Sequence, residues 1–297
     1  MNDDLLLKLQ EHSQKIESLL NDLLSHQSSY LNDRLRSAIR YAILGGKNIR
    51  SFLVAECASL FGLSNPTVLR VGAAIECVHC YSLIHDDLPS MDNGYIRRGK
   101  PTLHLQYDEA TAILAGNSLL TYAFEIICSP ETQLKDSIRS ELTLSLARNA
   151  GIQGMLGGQM LDIQNECLDE KQLLTIQEMK TGSLMRFACE AGAIIAHTNQ
   201  EEKARLRYYG ENLGIVFQLV DDLLDCEEDC ATIEKKSAKN ATTKNNSFVK
   251  IKGQEWIKQE IDQYNKKMIK ILSSHGKKAQ SLIDIMHFVS SKKKKKY

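Results

Sequence analysis

Apolar residues recur along this chain at helical spacing. Leu134, Ile138, Leu142 and Leu146 repeat every four residues, while Leu206, Tyr209, Leu213, Phe217, Val220 and Leu224 follow intervals of three and four. Such stripes are what one face of an α-helix buries. Strict apolar–polar alternation, the mark of a half-buried strand, is almost absent. Start signals agree with helices. Asn65-Pro66 and Ser129-Pro130 each put a capping side chain before a proline at the first helical position, and Thr198 with Glu201 forms a capping box. About ten helices fit between such marks. One stretch lacks periodicity: 235–253 carries Lys235, Lys236, Lys239, Lys244, Lys250 and Lys252 with no acid, and reads as a mobile basic loop. No unit of roughly 20 to 50 residues repeats, which disfavours a solenoid.

Composition sharpens this picture. Four prolines in 297 residues, against an average of ~5%, and 6% aromatics leave little turn punctuation and few strand formers. The expected class is all-α. A hydrophobic fraction of 43% and a charged fraction of 25% exclude global disorder, a collagen-like chain and a multi-span membrane protein. Basic and acidic residues balance at 37 each, yet Lys292 to Lys296 stand together at the end. The remainder is net acidic, so the basic face that a nucleic-acid footprint needs is not expected. One domain should span 1–291, with 292–297 a disordered, solvated tail. Met1-Asn2-Asp3-Asp4 followed by the short apolar run Leu5 to Leu7 does not read as a signal peptide. No uninterrupted stretch of ~18 apolar residues offers a membrane span. Eight cysteines scattered through helical sequence favour reduced thiols and a cytoplasmic setting. Cys77, Cys80, Cys226 and Cys230 could supply four zinc ligands, but they sit inside helix-patterned segments rather than on turns.

Two acidic clusters carry the candidate chemistry. Asp86-Asp87-Leu88-Pro89-Ser90-Met91-Asp92 follows an apolar run from Val71 to Ile84, and Pro89 should end that helix just before it. Carboxylates then stand at a helix C-terminus, where the macrodipole disfavours anions and something cationic must compensate. In the second cluster, Asp221-Asp222-Leu223-Leu224-Asp225, a wheel of ~100° per residue puts Gly214, Gln218, Asp221 and Asp225 on one stripe beside the apolar one. That pattern describes a cavity wall. Carboxylate oxygens bind hard divalent cations, and Mg²⁺ takes one or two of them plus substrate phosphates. Either cluster alone would pass for solvated helix surface; two of them, each beside an apolar segment, argue for a shared purpose. Cations lie close by in sequence. Gly45-Gly46-Lys47-Asn48-Ile49-Arg50 precedes an apolar helix over Phe52 to Leu60 and suits a phosphate at a helix N-terminus. Arg97-Arg98-Gly99-Lys100-Pro101 follows the first cluster, and Lys180-Thr181-Gly182 interrupts another helix. Acids for metal and bases for phosphate imply a diphosphate substrate with Mg²⁺.

Taken in order, Gly-Gly-Lys-x-x-Arg at 45–50, His79, Asp-Asp-x-x-x-x-Asp at 86–92, Arg-Arg-Gly at 97–99, Gly-Gly-Gln-x-x-Asp at 157–162, Lys-Thr-Gly at 180–182 and Phe-Gln-x-x-Asp-Asp-x-x-Asp at 217–225 closely resemble the trans-isoprenyl diphosphate synthases, and among them the bacterial farnesyl type. The resemblance implies a single-domain isoprenoid synthase helical bundle, usually a homodimer, with a central active-site cavity. It implies head-to-tail transfer of a prenyl group from dimethylallyl or geranyl diphosphate to isopentenyl diphosphate. Three Mg²⁺ per substrate-loaded site would draw ligands from Asp86, Asp87, Asp92, Asp221, Asp222 and Asp225. By motif position, Lys47, Arg50, His79 and Arg98 should hold isopentenyl diphosphate; Arg97, Lys180 and Lys235 should hold the allylic diphosphate. Thr181 and Gln218 would turn oxygens toward the developing cation. Tyr81 and Ser82 would set product length, since Tyr81 lies five residues before Asp86, ~7.5 Å along a helix, where a ring could floor the cavity.

Departures from the family pattern keep alternatives open. Asn93, Gly94 and Tyr95 replace further aspartates, Asn117 takes a usual aspartate position, and 234–240 reads Glu-Lys-Lys-Ser-Ala-Lys-Asn in place of Gly-Lys-x-x-Gly-Lys-Asp. A longer-chain geranylgeranyl diphosphate synthase and a non-catalytic subunit of the same fold therefore stand beside the C15 synthase. A di-iron bundle would fit Glu76-x-x-His79 but needs a second Glu-x-x-His. A terpene cyclase would carry an Asn/Ser/Glu triad in the second motif.

Overall fold

The computed structural model of the chain describes residues 3–25, 33–164, 169–233 and 247–291. Lys235 and the lysine tail lie outside the described residues. Fourteen helices run through them: α1 (Asp3–Ser25), α2 (Asp33–Ile43), α3 (Ile49–Ser59), α4 (Pro66–Asp86), α5 (Leu103–Gln106), α6 (Glu109–Cys128), α7 (Asp136–Ala150), α8 (Met155–Gln164), α9 (Glu170–Gln177), α10 (Ser183–Ile195), α11 (Gln200–Ile233), α12 (Phe248–Lys252), α13 (Gln254–Leu272) and α14 (Gln280–Ser290). Among the described residues the one sheet is a ribbon of two-residue strands, β1 (Ile96–Arg97) and β2 (Lys100–Pro101), paired antiparallel. The all-α expectation holds.

The helix starts are partly as predicted. Asn65 Oδ1 accepts from Val68 N at 3.1 Å, capping α4 ahead of Pro66. Ser129-Pro130, by contrast, opens only a 3₁₀ turn over Pro130–Thr132, and α7 waits until Asp136. Thr198 donates its hydroxyl backward to Ala193 O at 3.1 Å, and Asn199 caps α11 by accepting from Glu202 N at 2.9 Å. The expected basic loop lies outside the described residues over 235–246, and its end is helical instead: 248–252 forms α12. Phe248 is buried and stacks on Trp256, with ring centroids 5.8 Å apart, while Lys252 pairs with Glu170 at 2.5 Å. Five residues are too few to show a helical period.

Two compact units divide the chain, one built from Asn2–Leu146 and Ala191–Thr198, the other from Ala147–Glu190 and Asn199–Lys296. In the first, α4 is the core. Val71, Ala73, Ala74, Ile75, Cys77 and Val78 are all fully buried, so the helix is apolar all round and packs against α1, α2, α3 and α6. α4 and α6 are both long and apolar enough, by length and composition, to cross a membrane, and in α4 two thirds of that apolar window is buried inside the fold. The same burial decides the cysteines. Burial pushes the Cys80 thiol up to about 12 and Cys77 well above its ordinary value, so both remain thiols rather than the thiolates that zinc takes. In the second unit α11 is the spine: Leu206, Tyr209, Leu213 and Val220 are buried as the stripe predicts, and Tyr209 donates its hydroxyl to Leu282 O of α14 at 2.6 Å. Phe217 departs from the stripe and stands half-exposed.

His12 of α1 is buried in the first unit, its Nε2 2.8 Å from Ser51 Oγ and its ring edge-on to Phe52. Burial, helped by the charge of Lys15, pulls its pKa from 6.5 down to about 4. Between those values the unfolded chain binds a proton that the fold does not, so stability falls as pH falls through that window. Denaturant titrations at about pH 7 and about pH 4.5 should show wild type losing roughly 2 kcal/mol more than His12→Gln.

Candidate active site

The first acidic cluster is shaped by the end of α4. Asp87 is the C-cap, and the chain then turns back on itself: Met91 N donates to Leu88 O and Asp92 N to Asp86 O, each at 2.9 Å. The turn therefore absorbs the residues between the paired aspartates and Asp92, and joins Asp92 to Asp86 directly. The compensating cation that the macrodipole demands is Arg97 of β1. Its Nη2 lies 2.5 Å from Asp87 Oδ1, and its Nε reaches both carboxylate oxygens at 3.1 and 3.2 Å. Asp87 is only 3% exposed, and hydrogen bonding to it raises the pKa of Arg97. Gly94 has a local reason: a Cβ there would stand 2.7 Å from Asp87 Oδ1. An aspartate at 94 would add both a clash and a like charge.

Arg98 and Gly99 form the two-residue turn of the ribbon, both at positive φ, as a type I′ hairpin requires. This aims Arg98 at α2, where Nη1 donates to Ala42 O and Leu44 O at 3.2 Å, a favourable place for a cation beyond a helix C-terminus. The same guanidinium covers Gly46, 3.0 Å from where a Cβ would be. His79 of α4 is held well below its ordinary pKa, first by burial and then by the charges of Arg50, Arg98 and Arg97. It is neutral near pH 7. Arg50 Nε is shielded from solvent and makes no hydrogen bond among the described residues. Three of the predicted phosphate holders, Arg50, His79 and Arg98, are thus brought together, with Lys47 exposed on the adjoining loop. Glu76, the other half of the Glu-x-x-His pair, is spent on α3: its carboxylate accepts from Ser51 N at 2.9 Å and feels Arg50.

In the second unit, Lys180-Thr181-Gly182 does interrupt a helix, as a π-helical turn over Glu178–Gly182 between α9 and α10. Such turns mark functional positions in many helices. Two glycines let neighbours approach it. A Cβ on Gly158 of α8 would lie 2.3 Å from Lys180 N, and one on Gly214 of α11 would lie 2.6 Å from Gly182 Cα. Asp162 of α8 holds the Lys180 ammonium at 2.6 Å. In the sequence Gly158 and Asp162 stand out only as motif residues, and their spacing of four on one helix face is the signal that pairs them.

The second acidic cluster repeats the logic of the first. Asp222, 8% exposed, accepts from Phe248 N at 2.9 Å and from Gln218 Nε2 at 3.2 Å. Burial raises its pKa, and these hydrogen bonds oppose the rise. In each cluster the second aspartate is therefore turned to structure: Asp87 to Arg97, Asp222 to α12. Asp86 and Asp221 are half-buried; Asp92 and Asp225 are exposed. Among the described residues no three His, Cys, Asp or Glu side chains gather as a metal cage. Tyr81, on the α4 turn preceding Asp86, is 4% exposed and edge-on to His85 at 5.0 Å. His85 occupies the space above Gly116, where a Cβ would come within 2.3 Å of its ring. Ser82 donates its hydroxyl to His79 O at 2.8 Å within the helix.

This arrangement has known counterparts. Residues 32–287 match the polyprenyl synthetase family, and the chain belongs to it. It is similar to the farnesyl diphosphate synthase of Haemophilus influenzae, 38% identical over 258 residues that cover 84% of this chain and 87% of that one. The farnesyl diphosphate synthase of Micrococcus luteus is 41% identical over 248 residues, covering 82% and 84%. Among solved structures, an FPP/GFPP synthase from Zymomonas mobilis superposes with a TM-score of 0.87 at 35% identity, covering 98% of this chain and 100% of that one.

Removing Arg97 strands a buried carboxylate. Arg97→Met should cost about 1–3 kcal/mol of unfolding free energy, discounted from a fully buried pair because Arg97 is partly exposed. Asp87→Asn in the same chain should recover most of that loss, read as a coupling energy in a denaturation double-mutant cycle.

Proposed function

We propose that the protein is a trans-prenyltransferase, a transferase that condenses isopentenyl diphosphate head to tail with dimethylallyl or geranyl diphosphate to give farnesyl diphosphate. The observation that carries this reading is the grouping of Arg50, His79 and Arg98, joined through Arg97 to the first aspartate turn, in a chain whose relatives are farnesyl diphosphate synthases.

Asp86, Asp92, Asp221 and Asp225 would hold Mg²⁺, three ions per loaded site. The donors fit the ion, because all are hard carboxylate oxygens, the ligand type of which Mg²⁺ takes one or two alongside substrate phosphates. When bound, Mg²⁺ neutralises charge gathering on the leaving diphosphate. Asp87 and Asp222 belong to this set as orienting residues rather than ligands. Lys47, Arg50 and Arg98 grip the diphosphate of isopentenyl diphosphate, and neutral His79 donates a hydrogen bond to it. Arg97, Lys180 and Lys235 grip the allylic diphosphate, with Asp162 fixing the direction of Lys180. The allylic C–O bond breaks and its electron pair leaves with pyrophosphate. The terminal alkene carbon of isopentenyl diphosphate bonds to the allylic carbon, which leaves a tertiary cation on the substituted alkene carbon; the methylene next to that cation then loses a proton to the pyrophosphate and a double bond is restored. Oxygens of Thr181 and Gln218 stabilise the intervening cation. Tyr81, with Ser82 beside it, limits chain growth at C15.

Incubation with Mg²⁺, isopentenyl diphosphate and geranyl diphosphate should give predominantly C15 product, abolished by EDTA, and Tyr81→Ala should lengthen it. C20 product from the wild type would retain the enzyme and remove the floor role of Tyr81. No product from either allylic substrate would favour a non-catalytic subunit.

A homodimer and a cytoplasmic setting complete the reading. Leu156, Met160 and Ile163 form an exposed apolar stripe on α8, continued by Ile152 at 87% exposure, and patches of this kind mark protein interfaces. Six described cysteines carry free thiols. Light scattering should report twice the 33.4 kDa chain mass for the wild type, and a lower mass for Leu156→Glu with Met160→Glu; an unchanged mass would move the interface elsewhere.

A further inference from the structure

Lys47 lies in, and Arg50 just beyond, a loop whose shape is set from a helix outside every motif. α1 lies before the matched span of 32–287, yet three of its side chains grip that loop. Ser13 Oγ donates to Gly46 O at 2.9 Å and accepts from Asn48 Nδ2 at 2.8 Å. Glu17 Oε1 accepts from Gly45 N at 2.9 Å. His12 Nε2 meets Ser51 Oγ at 2.8 Å, and the Ser51 hydroxyl donates onward to Asn48 O at 2.9 Å, which makes Nε2 the donor.

The loop needs such a hold. Gly45 at φ +79° and Asn48 at φ +49° are both left-handed, a region that asparagine tolerates better than most residues but less freely than glycine. On its other side, Ser51 N donates to Glu76 beside Arg50, and the Arg98 guanidinium rests on Gly46. A change in how α1 holds Gly46 and Asn48 therefore moves Lys47, Arg50 and the support of Arg98 together.

We propose that Ser13, with His12 and Glu17, is a positioning residue for the isopentenyl diphosphate subsite, acting on that substrate through the Gly45–Asn48 backbone and not by contact. The proposal rests on the assignment of Lys47, Arg50, His79 and Arg98 to this substrate. A role in stability alone would affect both substrates alike. Positioning would fall on one.

Steady-state kinetics with each substrate varied in turn, and calorimetric titration of isopentenyl diphosphate into the full chain, separate these outcomes. Ser13→Ala should raise KM for isopentenyl diphosphate on the order of tenfold, the loss of one or two hydrogen bonds. KM for geranyl diphosphate and kcat should stay within about twofold. Ser13→Thr, which keeps the hydroxyl, should restore the wild-type value. Glu17→Ala removes a single exposed acceptor, and its rise of roughly threefold in the same direction carries the test if Ser13→Ala does not fold. Equal rises in both KM values, a loss confined to kcat, or no change would overturn the proposal. If wild type binds isopentenyl diphosphate and Ser13→Ala binds it equally well, the proposal alone fails. If wild type binds none, the subsite assignment fails and the proposal with it.

Discussion

Placing anions at the C-terminal end of a buried helix sets the terms for the first unit. Asp86 and Asp87 face the negative pole of α4, and burial of Asp87 makes an unpaired charge there untenable. Arg97 answers that demand with three close contacts. To deliver Arg97 the chain needs a rigid return, and the short ribbon with its Arg98-Gly99 turn supplies one. The same turn then places Arg98 against the α2 carbonyls and over Gly46. One electrostatic requirement thus fixes the aspartate turn, the ribbon and the cation beside His79.

The second unit reaches a comparable end by close approach instead. A π-turn widens the helix path at Lys180, and it persists because Gly158 and Gly214 bring two other helices within reach of its backbone. Side-chain bulk at either glycine would meet main chain, which cannot move aside as a flexible side chain can. The ammonium of Lys180 is then directed by Asp162 and not left to its own rotamers.

What was legible in the sequence follows the range of the interaction. The stripe of Leu206, Tyr209 and Leu213, the stop at Pro89 and the cap at Asn65 depend on residues a few positions apart, and they read correctly. Thr198 failed because Asn199, one residue on, takes the cap, and Ser129 failed because the helix it caps is only the 3₁₀ turn over Pro130–Thr132, with α7 starting at Asp136. α12 failed because its stability comes from Phe248 being buried and from Asp222, 26 residues away, holding its first amide. The candidate chemistry was visible as residue types, but the division of labour inside each aspartate motif was not, since Asp87 and Asp86 look alike until Arg97 is in place.

That division changes what an intact motif means. Asp87 and Asp222 are engaged by Arg97 and by the first amide of α12, whereas in the proposed function Asp86, Asp92, Asp221 and Asp225 would answer to the ligand. The two groups are therefore under separate selection. A descendant that lost turnover but kept its shape would be free to drift at the second group while retaining the first. Degeneracy across a family alignment should accordingly be weighed column by column, because a surviving aspartate at 87 or 222 testifies to an architecture and not to a reaction.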